Sequence, residues 1–180
     1  MATTQLTPEE IAQVSSVVAQ YITSQREKFS PQAAPLSESQ RAAMAGFFLS
    51  QVLDAARVLV LHAVRVENPP FYPMLVGMGL SELPDFSRAA GITFGDVIVS
   101  HEPFTDGLLF HELVHVEQYR QLGIPRFSEL YVRGFLSVGG YDGILLEANA
   151  YELGRRFEGN PRHQFSVADE VARSIREDGL

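Results

Sequence analysis

Apolar residues recur at helical spacing along much of the chain, and this periodicity predicts a mostly helical protein. The first amphipathic helix starts at Thr7, where the sequence Thr-Pro-Glu-Glu combines an N-cap, a proline at the first helical position and a capping glutamate. Its apolar face continues to about Lys28. A second capping pattern at residues 37–40 opens an apolar helix whose inward positions extend to Leu53. Both helices are typical of scaffold packed on a core, although the first is also compatible with a partner-binding extension.

Alternating and continuous apolar runs replace helical spacing in two stretches, and each predicts a β-strand. The first covers residues 57–66, where valines alternate with other residues, and the second covers residues 91–100, with its centre at 97–99. Between them, residues 68–86 form a long Pro-rich loop. Long loops of this kind often form a wall or lid of a binding cleft, although the aromatic residues here could equally pack beneath the loop. The pattern predicts a small sheet of two or three strands.

Helical spacing returns after the second strand and continues to the end of the chain. One helix starts near Asp106 and ends at Gly123, because glycine is a common C-cap and Pro125 follows shortly after it. The remaining predicted elements are a short helix over residues 127–135, a turn at 139–143, a helix over 144–157 and a last helix over 167–177. Together they predict a mostly helical α+β protein, in which an N-terminal helical segment (1–55) packs on a core (56–180) to form one structural domain.

Composition and charge exclude several classes of function. The 180 residues carry a net charge of −8, so nucleic acid is not an expected partner, and the basic residues are too scattered for a membrane-binding patch. The chain has no cysteine, which excludes disulfides and thiolate catalysis and leaves His, Asp and Glu as metal ligands. Residues 1–6 lack the features of a secretory signal, and no apolar run is long enough to span a bilayer. The predicted location is therefore the cytoplasm.

The helix that starts near Asp106 carries the strongest chemical signal. His111 and His115 are four residues apart, so a helix places both imidazoles on one face, where they can bind one ion. Glu112 lies beside that ion, where it could hold a water molecule and take its proton. This is the H-E-x-x-H arrangement of zinc hydrolases. The alternative is a core helix whose two histidines only hydrogen-bond to their neighbours.

A catalytic zinc ion usually has three protein ligands, so a third must come from elsewhere in the chain. The extended motif with a third histidine does not fit, because Gln121 stands where that histidine would be. Glu147 is the favoured candidate, since it lies early in a later helix among small residues that let two helices approach closely. Glu152, Asp142 and His163 are the competing candidates.

These residues resemble a known family. His111-Glu112-x-x-His115, followed by Glu147 on a later helix, is similar to the gluzincins, which are zinc peptidases with a glutamate as third ligand, and most closely to their small single-domain bacterial members. The resemblance covers roughly residues 58–156. It implies a zincin-like fold, zinc bound by the two histidines and Glu147, and Glu112 as general base. Many gluzincins have an Asp one turn after the third ligand. This chain has Tyr151 there, whose hydroxyl can accept an imidazole N–H bond without a charge.

The sequence therefore predicts a zinc-dependent peptidase that acts on a peptide or protein. The oxyanion formed during hydrolysis needs a donor besides zinc, and the candidates are Tyr141, Tyr151 and His101. The strand ahead of the motif helix could pair with an extended peptide through an exposed edge. Two alternatives remain open. One is a non-catalytic zinc-binding scaffold or partner-binding domain, and the other is a dedicated peptidase that cuts a single partner protein.

Overall fold

Helices make up most of the protein, and a small sheet lies among them. The structure is a computed structural model, and it describes residues 6–80, 82–137 and 140–177. The helices are α1 (Pro8–Phe29), α2 (Glu38–Met44), α3 (Ser50–Ala55), α4 (Tyr72–Gly77), α5 (Asp106–Leu136), α6 (Leu145–Gly159) and α7 (Val167–Glu177). The strands are β1 (Ala34–Pro35), β2 (Arg57–Val60), β3 (Gly91–Phe94) and β4 (Val97–Ser100). The predicted α+β class with a mostly helical content is confirmed.

The sheet has the strand order β1-β2-β4-β3, with β2 and β4 parallel and both other pairs antiparallel. The prediction of two or three strands was wrong for the described residues. The run 91–100 is a hairpin and not one strand, because Gly95 adopts a φ of 68° that favours glycine and reverses the chain. Arg26 of α1 binds the turn through Asp96, with 2.6 Å between Nε and Oδ1. The outermost strand, β1, is only two residues long and lies just before the second capping pattern, where the sequence predicts no strand.

The predicted strand over 57–66 ends early, at Val60. In the register of β2 and β4, Val60 is opposite Ser100, the last residue of β4, so the following residues have no strand to pair with in that direction. Residues 62–65 are exposed. The length of this strand is therefore set by its partner and not by its own apolar run.

The predicted single helix after residue 37 is instead two helices, α2 and α3. The chain leaves helical geometry between them at Phe47, where the backbone carbonyl and the ring both bind other helices. Its carbonyl accepts the amide of Val167 at the start of α7, at 3.0 Å. Its ring lies edge-on to Phe110 and Phe157, at centroid distances of 5.5 and 5.2 Å. The break thus fixes the C-terminal helix to the core.

The long helix α5 packs against α1, α6, α7 and the sheet. Gly123 interrupts it with a φ of 71° and a ψ of 160°, at the position where the sequence predicts a helix end, and Pro125 follows. The part before this kink is buried on nearly all sides: Leu109, Phe110 and Leu113 are at most 1% exposed. A polar group on this segment therefore lies in the interior and needs a partner there.

Three predictions fall partly on residues outside the described ranges. These are the absence of a secretory signal at residues 1–6, the loop over 68–86 and the turn at 139–143, of which residues 140–143 form a short 3-10 helix. Among the described helices, none combines the length and apolar character needed to cross a membrane.

Candidate metal centre

Three potential metal ligands converge between α5 and α6. The Nε2 atoms of His111 and His115 are 3.2 Å apart. Oε2 of Glu147 lies 3.6 Å from Nε2 of His111 and 3.5 Å from Nε2 of His115. Ligands on a tetrahedral zinc ion with bonds of 2.0–2.1 Å are separated by about 3.3 Å, so three such atoms span one face of the coordination tetrahedron. The donor set and its spacing fit zinc.

The two helices bring Glu147 to the histidines because small and apolar residues pack between them. Ala150 and Leu153 of α6 are at most 1% exposed, and Glu147 itself is only 9% exposed. The competing candidates Glu152, Asp142 and His163 are exposed and are not in this cluster. Of the candidates that sequence reasoning left open, Glu147 is the one placed with the histidines.

Charge within the cluster shifts the pKa values of His115 and Glu147 in opposite directions. Burial lowers the pKa of His115, but Glu147, Glu112 and Gln118 together outweigh it and raise the pKa to about 9. Burial raises the pKa of Glu147, but His115 and His111 outweigh it, so the net pKa lies well below the usual range. In the metal-free site, a proton on His115 therefore balances the negative charge of Glu147. A bound metal ion would displace this proton.

The candidate general base, Glu112, is buried beside the ligands and held by the edge strand β3. Its Oε2 accepts a hydrogen bond from Thr93 Oγ1 at 2.7 Å. Gly91, two residues earlier, leaves room for the carboxylate, because a Cβ at this position would lie 2.6 Å from Oε1. Burial raises the pKa of Glu112, and the nearby histidines and the Thr93 hydrogen bond only partly offset this. The carboxyl is fixed in place and its affinity for a proton is increased.

Three tyrosines surround the ligands. Burial, together with the negative charge of the Glu147 carboxylate, raises the pKa of Tyr131 and of Tyr141 well above its usual value. The neutral phenols are therefore hydrogen-bond donors at any ordinary pH. Tyr151 instead places its ring 4.6 Å from the ring of His111. Both members of the sequence-predicted pair, Tyr141 and Tyr151, thus lie at the site.

His115 is oriented by Gln118, a residue that sequence reasoning did not consider as part of the site. Gln118 Oε1 lies 2.8 Å from His115 Nδ1. The signal that could have identified it is its spacing: a residue three positions after a histidine lies next to it on a helix. Thr93, Gly91 and Tyr131 were missed as well, and their distance in sequence from the motif left no comparable signal.

A cleft of about 840 Å³ adjoins the ligands and is lined in part by the residues of β3. Apolar side chains form most of its walls, including Val18 of α1, Leu75 of α4 and Phe86 of the long loop. The segment predicted as a loop, which contains helix α4, therefore forms one wall of a cleft. His101, a candidate oxyanion donor, is absent from the lining. Its Nε2 accepts the amide of Val66 at 3.0 Å and its Nδ1 lies 2.7 Å from the carbonyl oxygen of Ala89, so both ring nitrogens bind backbone.

The chain was compared with protein-family models, curated proteins and solved structures, and no match was found in any of the three. The class of the site consequently rests on its own geometry. That geometry combines two imidazoles and a carboxylate at zinc-like spacing, a second buried carboxylate beside them and a cleft alongside.

Proposed function

We propose that the protein is a zinc-dependent peptidase of the gluzincin type with a zincin-like fold. The observation that carries this proposal is the convergence of His111, His115 and Glu147 within 3.2–3.6 Å of one another, next to the buried carboxyl of Glu112. A structural zinc site is closed by four protein ligands, whereas a site with three protein ligands has an open position for a water molecule or the substrate. A location in the cytoplasm remains a prediction from the sequence.

The residues around the site have separate roles in this mechanism. Zinc, when bound, would lower the pKa of a coordinated water and polarise the scissile carbonyl. Glu112 takes a proton from the attacking water and then gives it to the nitrogen of the leaving amine as the C–N bond breaks. Its raised pKa suits both steps, because the carboxyl must hold the proton between them. Tyr141 supplies a neutral hydroxyl that can donate to the developing oxyanion.

The edge of the sheet supports a peptide as the substrate. The strand directly ahead of the motif helix, β4, is internal, so the predicted pairing edge belongs to β3 instead. The amide of His101 donates to the carbonyl of Ala90, and the alternation of an antiparallel pair then turns the backbone groups of Gly91 away from β4. Gly91 also lines the cleft. An extended peptide added here would run beside Glu112, with its side chains against apolar walls.

A non-catalytic zinc-binding domain is the second candidate, and one observation favours it. Thr93 holds the Glu112 carboxylate by a hydrogen bond, which ties the candidate base to the sheet. A carboxylate that stays in this bond would serve the fold and not a reaction. The two candidates make different predictions for cleavage, while both require the metal.

Zinc content and a cleavage screen test the proposal together. We expect the purified protein to bind one zinc ion per chain and to cleave members of a peptide library, with preference for apolar side chains near the cut. A chelator should abolish cleavage, and added zinc should restore it. Bound zinc without cleavage of any library peptide or of proteins in a proteome digest assay would support the non-catalytic alternative. Absence of zinc binding would remove both candidates.

Substitution of Gly91 tests the position of the base directly. Gly91→Ala places a methyl group where the Glu112 carboxylate now lies, so we expect slower cleavage with an unchanged affinity for zinc. The matched control is Gly159→Ala at the end of α6, where an added Cβ meets no atom within 4 Å. The measurement is the initial cleavage rate at saturating zinc. Equal rates for Gly91→Ala and the wild type would show that the carboxylate does not need its present position.

A further inference from the structure

Gln118 makes three hydrogen bonds next to the metal centre, and the proposed mechanism does not use it. It is 1% exposed. Oε1 lies 2.8 Å from Nδ1 of His115. Nε2 donates to the carbonyl oxygen of Leu146 at 2.9 Å and to Oδ1 of Asn149 at 3.1 Å. The side chain thus joins a ligand on α5 to the first turn of α6, which carries the ligand Glu147.

Chemistry fixes the direction of each of these bonds. A backbone carbonyl can only accept, so the amide atom facing Leu146 must be the nitrogen, and the atom facing His115 must be the oxygen. Because that oxygen can only accept as well, Nδ1 of His115 carries a proton. A proton on Nδ1 leaves the lone pair of the neutral ring on Nε2, the atom that faces Glu147 at 3.5 Å.

We propose that Gln118 is a positioning residue for zinc. It holds His115 as the Nδ1–H tautomer with Nε2 directed to the metal, and it fixes α6 relative to α5 so that Glu147 reaches the same point. Bonds of this kind to a metal-binding histidine set the orientation and basicity of the ring. The inference rests on the proposed function, because it assumes that the three ligands bind zinc.

The chain offers a matched control one turn further along the same helix. Gln121 also ties α5 to a backbone carbonyl, with Nε2 donating to the oxygen of Ala168 on α7 at 2.9 Å. Its other partner is Glu117. Neither partner belongs to the metal centre. Loss of Gln121 therefore removes a helix-to-helix tie of the same chemistry without removing a bond to a ligand.

The test compares Gln118→Met with Gln121→Met, since methionine keeps the length of the side chain and removes its polar atoms. We expect both variants to melt at lower temperatures than the wild type. Only Gln118→Met should lose zinc affinity, by about 10–100-fold, as is typical when a partner of a metal-binding histidine is removed. Affinity is measured by competition with a chromophoric chelator. In zinc-loaded, ¹⁵N-labelled protein, the Nδ1–H signal of His115 should be protected from solvent exchange in the wild type and in Gln121→Met, and lost in Gln118→Met.

Gln118→Glu keeps an acceptor for Nδ1 and supplies the test if Gln118→Met does not fold. We expect it to retain most of the zinc affinity and the protected signal, although it loses the donor to Leu146. Wild-type zinc affinity in Gln118→Met, an equal loss in Gln121→Met, or an unprotected signal in a folded Gln118→Glu would each overturn the inference while leaving the zinc site in place. If the wild-type protein binds no zinc, the proposed function and this inference both fail.

Discussion

Glu112→Gln should bind zinc as tightly as the wild type and lose about 10²–10⁴-fold in cleavage rate, the usual contribution of a general base. The amide has nearly the same shape as the carboxyl, so it still accepts the hydrogen bond from Thr93 and still fits beside Gly91. It cannot take a proton from water. Glu112 is not among the three converging ligands, so we expect the loss of its charge to leave the zinc affinity unchanged.

The matched control is the same substitution at Glu117, five residues further along α5. Glu117 is 1% exposed, and its carboxylate hydrogen-bonds to Arg120 and Gln121 and not to the three ligands. We expect Glu117→Gln to lower the melting temperature and leave the cleavage rate per folded molecule unchanged. The measurement is the initial rate on the best peptide of the library at saturating zinc, with zinc content determined for each sample. A Glu112→Gln variant that is loaded with zinc and cleaves at the wild-type rate would show that another group is the base.

The part of the site that sequence reasoning could predict is the part with local spacing. His111 and His115 are four residues apart on one helix, so the backbone alone places them together. Glu147 could be selected only by type, helix position and small neighbours, and the choice over Glu152 depended on which face of α6 packs inward. Gln118 had a local signal, because it lies three residues after His115. This signal is not detected when only metal-ligand residue types are considered.

The part that could not be predicted depends on contacts between distant segments. Thr93 and Gly91 reach Glu112 only because the chain turns at Gly95, and the unrecognised turn made β3 and β4 look like one strand. The end of β2 at Val60 likewise follows from the length of its partner strand. Hydrophobic alternation reports that a segment is extended and covered, but it contains no information about where a neighbouring strand stops.

Glu147→Gln should weaken zinc binding more severely than any change outside the three ligands, by more than the 10–100-fold typical for residues that only hold a ligand. The substitution removes a charged oxygen donor and leaves two neutral imidazoles. It also has an effect that needs no metal. Glu147 is the first among the groups that outweigh burial and raise the pKa of His115 to about 9 in the metal-free protein, so the pKa should fall when its charge is removed.

The control for this prediction is Glu152→Gln on the same helix, at an exposed position outside the cluster. It removes the same charge from the protein at a distance from the histidines, so it separates a ligand effect from a general change in net charge. We expect wild-type zinc affinity and a His115 pKa of about 9 in Glu152→Gln. Zinc is titrated by chelator competition, and the His115 pKa is measured by NMR of the ring protons in chelator-treated protein. Tight zinc binding by Glu147→Gln would mean that another residue is the third ligand, whereas an unchanged His115 pKa would mean that the carboxylate does not lie beside the ring in solution.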